Sequence, residues 1–159
     1  MALLGVAAAV LALDQLTKAL VRELLPLHTN VNIVPGFVDF THVRNTGAAF
    51  GIFNAADIPF KPAVMTGVAL IALVAIAGYA WQSASRAPAS RLGLVLILSG
   101  AVGNLIDRVM AGYVVDFVDV YWRNYHFWAF NVADSAITVG ASLLVLDMLI
   151  LGRHVSETV

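Results

Sequence analysis

The chain has 159 residues, 60% of them hydrophobic and only 12% charged, with a formal charge of -1. Its mean hydropathy of +0.87 excludes a soluble domain, in which about a quarter of residues carry charge, and predicts a membrane protein forming one compact bundle. No basic field is present to hold nucleic acid, the absence of cysteine removes disulfides and thiolate chemistry, and the four histidines show no metal-ligand spacing, so neither a metal nor another cofactor is expected.

Residues 2–25 form an apolar stretch long enough to cross a hydrocarbon core of about 30 Å at 1.5 Å per residue, interrupted by Asp14, Gln15, Thr17, Lys18, Arg22 and Glu23. A cleaved signal peptide would want basic residues before the apolar run; here none precedes it, and charges sit inside it. Asp14 and Lys18 share a helix face and can partly neutralise one another, as a structural pair or as part of a site. Residues 27–43 alternate polar and apolar side chains around Pro35-Gly36, a β-hairpin signal. The polar turn from Arg44 to Gly47 leads into Phe50, Ile52 and Phe53, which reads either as a loop with buried aromatics or as a flap lying on the membrane.

Residues 62–81 are the plainest apolar span and serve as scaffold. The connector that follows carries Arg86 and Arg91 with no acidic residue, which the positive-inside rule places in the cytoplasm with both termini. The third and fourth spans are expected at residues 92–111 and 132–151. Near the outer end of the third, Asn104, Asp107 and Arg108 fall on one face; Asn131, Asp134, Ser135 and Thr138 form a similar stripe on the fourth. An ionised side chain at membrane depth costs about 2.5–3.5 kcal/mol on insertion scales, so these polar faces should meet inside the bundle. The aromatic-rich segment 112–130 between them reads as an interfacial belt, and Asp147 as an interfacial or structural residue far from the outer cluster.

Asp116 lies just beyond the third span and Asp134 just inside the fourth, so a tight return could bring their carboxylates together. Two carboxylates in one site share a proton, the state needed to activate water and polarise a peptide carbonyl. Arg108 and Asn131 are candidates to fix them by hydrogen bonds, whereas Ser135 has no histidine or lysine placed to activate it. A proton or ion relay and a buried network that merely joins helices are the competing readings.

Five blocks in order carry a resemblance to a known family: Asp14-Gln15-Leu16-Thr17-Lys18; Arg44-Asn45-Thr46-Gly47-Ala48-Ala49-Phe50; Gly103-Asn104-Leu105-Ile106-Asp107-Arg108; Val115-Asp116-Phe117; and Phe130-Asn131-Val132-Ala133-Asp134-Ser135. Over nearly its whole length the chain resembles the bacterial lipoprotein signal peptidases (signal peptidase II), aspartic proteases of the inner membrane. The resemblance implies an all-α polytopic membrane protein, with four transmembrane helices, a small extracytoplasmic β-cradle and flap over about residues 27–61, and a short interfacial helix. It implies Asp116 and Asp134 as catalytic residues, with Asn45, Asn104, Asp107, Arg108, Asn131, Asp14 and Lys18 binding substrate or supporting the site. The implied partners are diacylglyceryl-modified prolipoproteins, cut on the amino side of the lipidated cysteine, together with membrane lipids and globomycin-like inhibitors. The implied location is the bacterial inner membrane, with the site near the periplasmic face.

Overall fold

The computed structural model describes residues 1–47, 53, 56–82, 88–123 and 125–156. In chain order the elements are α1 (Ala2–Leu24), β1 (Asn30–Val34), β2 (Val38–Asn45), α2 (Lys61–Gln82), α3 (Pro88–Ala111), β3 (Val114–Trp122), β4 (Tyr125–Phe130) and α4 (Val132–Ser156). All four helices are long and apolar enough to cross a membrane. Leu13, Leu16 and Leu20 on α1, Val68, Ile71 and Val74 on α2, and Val145, Leu146 and Leu149 on α4 stay exposed. Hydrocarbon rather than water suits such surfaces.

An all-α description proves too narrow. The four strands form one antiparallel sheet in the order β1-β2-β3-β4. The expected hairpin is there: the Phe37 N–H donates to the Val34 carbonyl at 3.0 Å, and Gly36 has φ 81. Proline followed by a left-handed glycine gives a type II turn. The aromatic-rich segment over residues 112–130 folds as a second hairpin, β3 and β4. Its strands went unseen because Trp122, Tyr125, Phe127 and Trp128 stay exposed beside buried Val115 and Phe117, so no clean period of two marks a buried face. The interfacial flap expected near residues 47–53 falls mostly outside the described residues.

Helix α3 packs against the other three helices. Its approach to α4 depends on missing side chains: a Cβ on Gly93 would stand 2.7 Å from the Gly140 carbonyl oxygen, one on Gly140 2.5 Å from the Gly93 oxygen, and one on Gly100 would strike the Ala133 carbonyl. Small residues let two backbones touch where apolar side chains gain nothing by leaving lipid. At the far end of this crossing the Ser90 hydroxyl donates to Asp147, which gives that aspartate its structural role. Helix α3 ends at Gly112, with φ 77 and an N–H donated to the Arg108 carbonyl at 3.0 Å. This left-handed cap turns the chain into β3 and brings Asp116 back beside the helix ends.

Candidate active site

Asn131 organises the site. It is the N-cap of α4: its side-chain oxygen accepts the Asp134 N–H at 2.9 Å, while the Asp134 carboxylate accepts the Asn131 N–H at 3.3 Å. This reciprocal pair is a capping box built from asparagine and aspartate, satisfying two donors that a helix start leaves open. The same Asn131 amide donates to Asp116 Oδ1 at 2.7 Å and Asn104 Oδ1 at 3.2 Å. One buried side chain therefore holds both aspartates.

Each carboxylate has a second amide partner. Asn45, at the end of β2, donates to Asp116 Oδ2 at 3.0 Å, and Asn104 on α3 donates to Asp134 Oδ1 at 2.8 Å. Asp116 is buried, on a strand outside the spanning helices. Burial first, and then the charge of Asp134, push its carboxyl up to about 7 despite the opposing bonds from Asn45 and Asn131. Arg108 departs from expectation: among the described residues its guanidinium donates to the Gly47 carbonyl at 3.2 Å and more weakly to the Asn104 carbonyl at 3.5 Å. It fixes the start of the loop after β2 instead of gripping either carboxylate.

Behind the amides lies an ionic layer. Lys18, fully buried, places its ammonium 2.8 Å from Asp14, 3.0 Å from Asp107 and 2.9 Å from the Asn104 side-chain oxygen. Three donors thus meet three acceptors, the condition under which a buried ammonium is tolerated. Asp14 also accepts the Ala133 N–H at 2.9 Å, so an α1 carboxylate caps the first turn of α4 at the positive end of its dipole. Gln15, bonded to Asp14 and to the Gly103 carbonyl, and Arg22, 3.6 Å from Asp107, join this layer. Neither is among the site residues expected from the sequence. Arg22 stands one helical turn beyond Lys18 on the same face, a spacing that could have revealed it.

All nine candidate residues belong to one connected network, arranged in two tiers. Asp116, Asp134, Asn45, Asn104 and Arg108 line a cavity of about 690 Å³ whose remaining walls include Met65, Val68 and Ala72 of α2 and Ile97 of α3. Asn131, Asp107, Asp14 and Lys18 stand behind them. Ser135 also faces the cavity, but its hydroxyl donates to the Asn131 carbonyl at 3.0 Å, and among the described residues no base bonds it. A polar rim with paired carboxylates above an apolar cleft suits hydrolysis of a polar bond in a molecule that is otherwise lipid-soluble.

A family model described as "Signal peptidase (SPase) II" matches residues 6–150. Relatives named lipoprotein signal peptidase include those of Syntrophotalea carbinolica, 48% identical over 149 residues, and Solibacter usitatus, 45% identical over 145 residues. Each match covers 91% of this chain and 88% of the relative. A solved bacterial membrane enzyme is similar over 98% of this chain and 90% of its own, with 30% sequence identity and a TM-score of 0.80.

Proposed function

This chain belongs to the signal peptidase II family, and we propose on that premise that Asp116 and Asp134 are the two catalytic carboxylates of an aspartic peptidase. The family membership makes the chain a multi-pass membrane protease of aspartic type, acting in the removal of signal peptides from lipoproteins. The observation that carries the assignment is the sharing of Asn131 by both aspartates on the wall of one cavity.

The pair holds one proton between its two members. The ionised carboxylate takes a proton from the attacking water, and the protonated one donates to the scissile carbonyl oxygen as the tetrahedral intermediate forms; the pair then returns a proton to the leaving nitrogen. Asn45, Asn104 and Asn131 orient the carboxylates while the Lys18 layer holds the helix ends that carry them. The whole chain acts as a single membrane domain in the bacterial inner membrane, with both termini in the cytoplasm and the sheet forming a cradle on the periplasmic face. The basic connector after α2, which lacks acidic residues, supports this orientation.

The substrate is a prolipoprotein whose cysteine carries a diacylglyceryl group, cut on the amino side of that cysteine. Acyl chains remaining in lipid beside the apolar cleft contribute about 0.8 kcal/mol per buried CH₂, so the bilayer itself holds the bond in register. Globomycin-like cyclic peptides would occupy the same cleft as inhibitors. The test is cleavage of a diacylglyceryl-modified prolipoprotein by purified protein, compared with Asp116→Asn and Asp134→Asn variants whose folding is checked by thermal melting. The unchanged chain should cleave and both folded variants should not; cleavage by either variant would remove the dyad.

A further inference from the structure

A second cavity, of about 400 Å³, lies over the sheet and shares Asn45, Asp116, Trp128 and Ala129 with the apolar cleft. The two cavities therefore adjoin at Asp116. Where the cleft is walled by α2, α3 and α4, the second cavity is lined by His28, Asn30, Thr41, Asp119 and His126. Its chemistry centres on Asp119 and His126. Asp119 is 9% exposed, and its Oδ2 takes a hydrogen bond from His126 Nδ1 at 2.7 Å while its buried Oδ1 has no partner among the described residues. The half-exposed imidazole stacks on Tyr121, with ring centroids 5.0 Å apart, so its orientation is set by a ring as well as by a carboxylate. Because a carboxylate accepts, Nδ1 must carry the proton, and in the neutral ring Nε2 presents a lone pair.

We propose that the Asp119–His126 pair is a specificity subsite for the residue that follows the lipidated cysteine, with His126 Nε2 accepting a hydrogen bond from a donor side chain there. This rests on the peptidase reading above. Of the parts of a prolipoprotein, the acyl chains and the signal segment are apolar and suit the cleft between helices. Next to the scissile bond only the mature segment is polar, and it begins on the far side of that bond from the signal segment. A chain crossing Asp116 therefore puts its first mature residues over the sheet, beside His126. Two acceptors, His126 Nε2 and the anionic Asp119 behind it, favour a hydroxyl in that position and disfavour a carboxylate. His126 is here a specificity residue, and Asp119 a positioning residue that fixes its tautomer.

The experiment uses three synthetic diacylglyceryl-modified lipopeptides in detergent, identical except for Ser, Ala or Asp after the cysteine, and reads kcat/KM for each. The full-length protein should prefer Ser over Ala by about tenfold, the scale of one hydrogen bond in a sheltered site, and cut the Asp peptide more slowly than either. His126→Phe, which keeps a ring to stack on Tyr121, should bring the Ser to Ala ratio close to one. Asp119→Ala, which frees both the rotation and the tautomer of the ring, should lower the ratio toward one while leaving kcat/KM for the Ala peptide near its original value. A merely structural pair would slow all three peptides alike and leave the ratios untouched, which overturns the subsite. Equal cleavage of Ser and Ala peptides by the unchanged protein, or preference for Asp, overturns it without any variant. Failure to cleave all three overturns the peptidase reading and the subsite with it.

Discussion

Asn131 offers a perturbation whose stability and activity effects can be separated. Asn131→Ala removes a helix cap, worth about 0.5–2 kcal/mol, and an amide donor to a carboxylate at 2.7 Å, worth about 1.5–3 kcal/mol. Together the variant should be less stable by about 2–5 kcal/mol, or roughly 5–20 °C in melting temperature for a chain of this size. Asn131→Ser separates the two contributions, because a hydroxyl can still cap the Asp134 N–H but is too short to reach Asp116. It should therefore recover much of the melting temperature and little of the turnover. The assay pairs thermal melting in detergent with the initial rate on a diacylglyceryl-modified prolipoprotein. A serine variant that cleaves as fast as the unchanged protein, or an alanine variant that melts at the same temperature, would refute the reasoning.

Lys18→Met leaves Asp14 and Asp107 buried without their shared cation and should lower stability by about 3–5 kcal/mol; adding Asp14→Asn should restore part of the loss, as a double-mutant cycle by thermal melting would read. Asp116, raised from 3.8 to about 7 by folding, stabilises the fold while protonated. That contribution is complete below pH 4 and is lost as pH rises through 7. Asp116→Asn should flatten this dependence and lose cleavage, and because its NH₂ opposes one of the two amides that bond Asp116 it should melt lower at acid pH; a melting profile with the same slope in both proteins would contradict it. Activity of the unchanged protein should fall on the alkaline side as the pair loses its shared proton, seen as the upper limb of a kcat profile. Gly100→Ala and Gly140→Ala should each cost about 1–3 kcal/mol by overpacking. Turnover should suffer more at Gly100, whose neighbour Ala133 adjoins Asp134; equal losses at both would show that helix separation near the site is unimportant.

Sequence showed the polar inventory of the site but not its wiring. Asn104, Asp107, Arg108, Asn131 and Asp134 were conspicuous because each is costly at membrane depth, and helical periodicity set those on α3 to one face. The spacing of Asn131 and Asp134 also fits a capping box, yet a stripe of polar residues at a span end is a second reading of the same letters. Only the backbone tells that Asn131 is the cap and not a residue of the helical face. The partner of Arg108 depends on Gly47, sixty-one positions away, a separation that no local pattern spans. The second hairpin was hidden for a different reason. A strand half covered by the bundle and half facing an interface has no consistently polar side, so β3 and β4 showed their aromatic content but not their period.

The charge balance explains why the two tiers occur together. Four carboxylates, Asp14, Asp107, Asp116 and Asp134, meet three cations, Lys18, Arg22 and Arg108, across the ends of α1, α3, α4 and β3. Lys18 sits between Asp14 and Asp107, so the rear tier consumes most of the positive charge, and the front pair is left with amides as its nearest partners. Neutral amides fix a carboxylate without supplying the charge that would ionise both members. A single proton on the pair then brings the assembly to neutrality, the least costly state for ionisable groups held in an apolar bundle. Bringing a cation to the pair from outside the network, for example by Thr138→Lys on the cavity wall one helical turn after Asp134, should favour ionisation of both carboxylates, and turnover at neutral pH should fall even as the fold survives. A folded Thr138→Lys protein with unchanged kcat and an unchanged alkaline limb would show that the shared proton does not depend on this division between amides and ions.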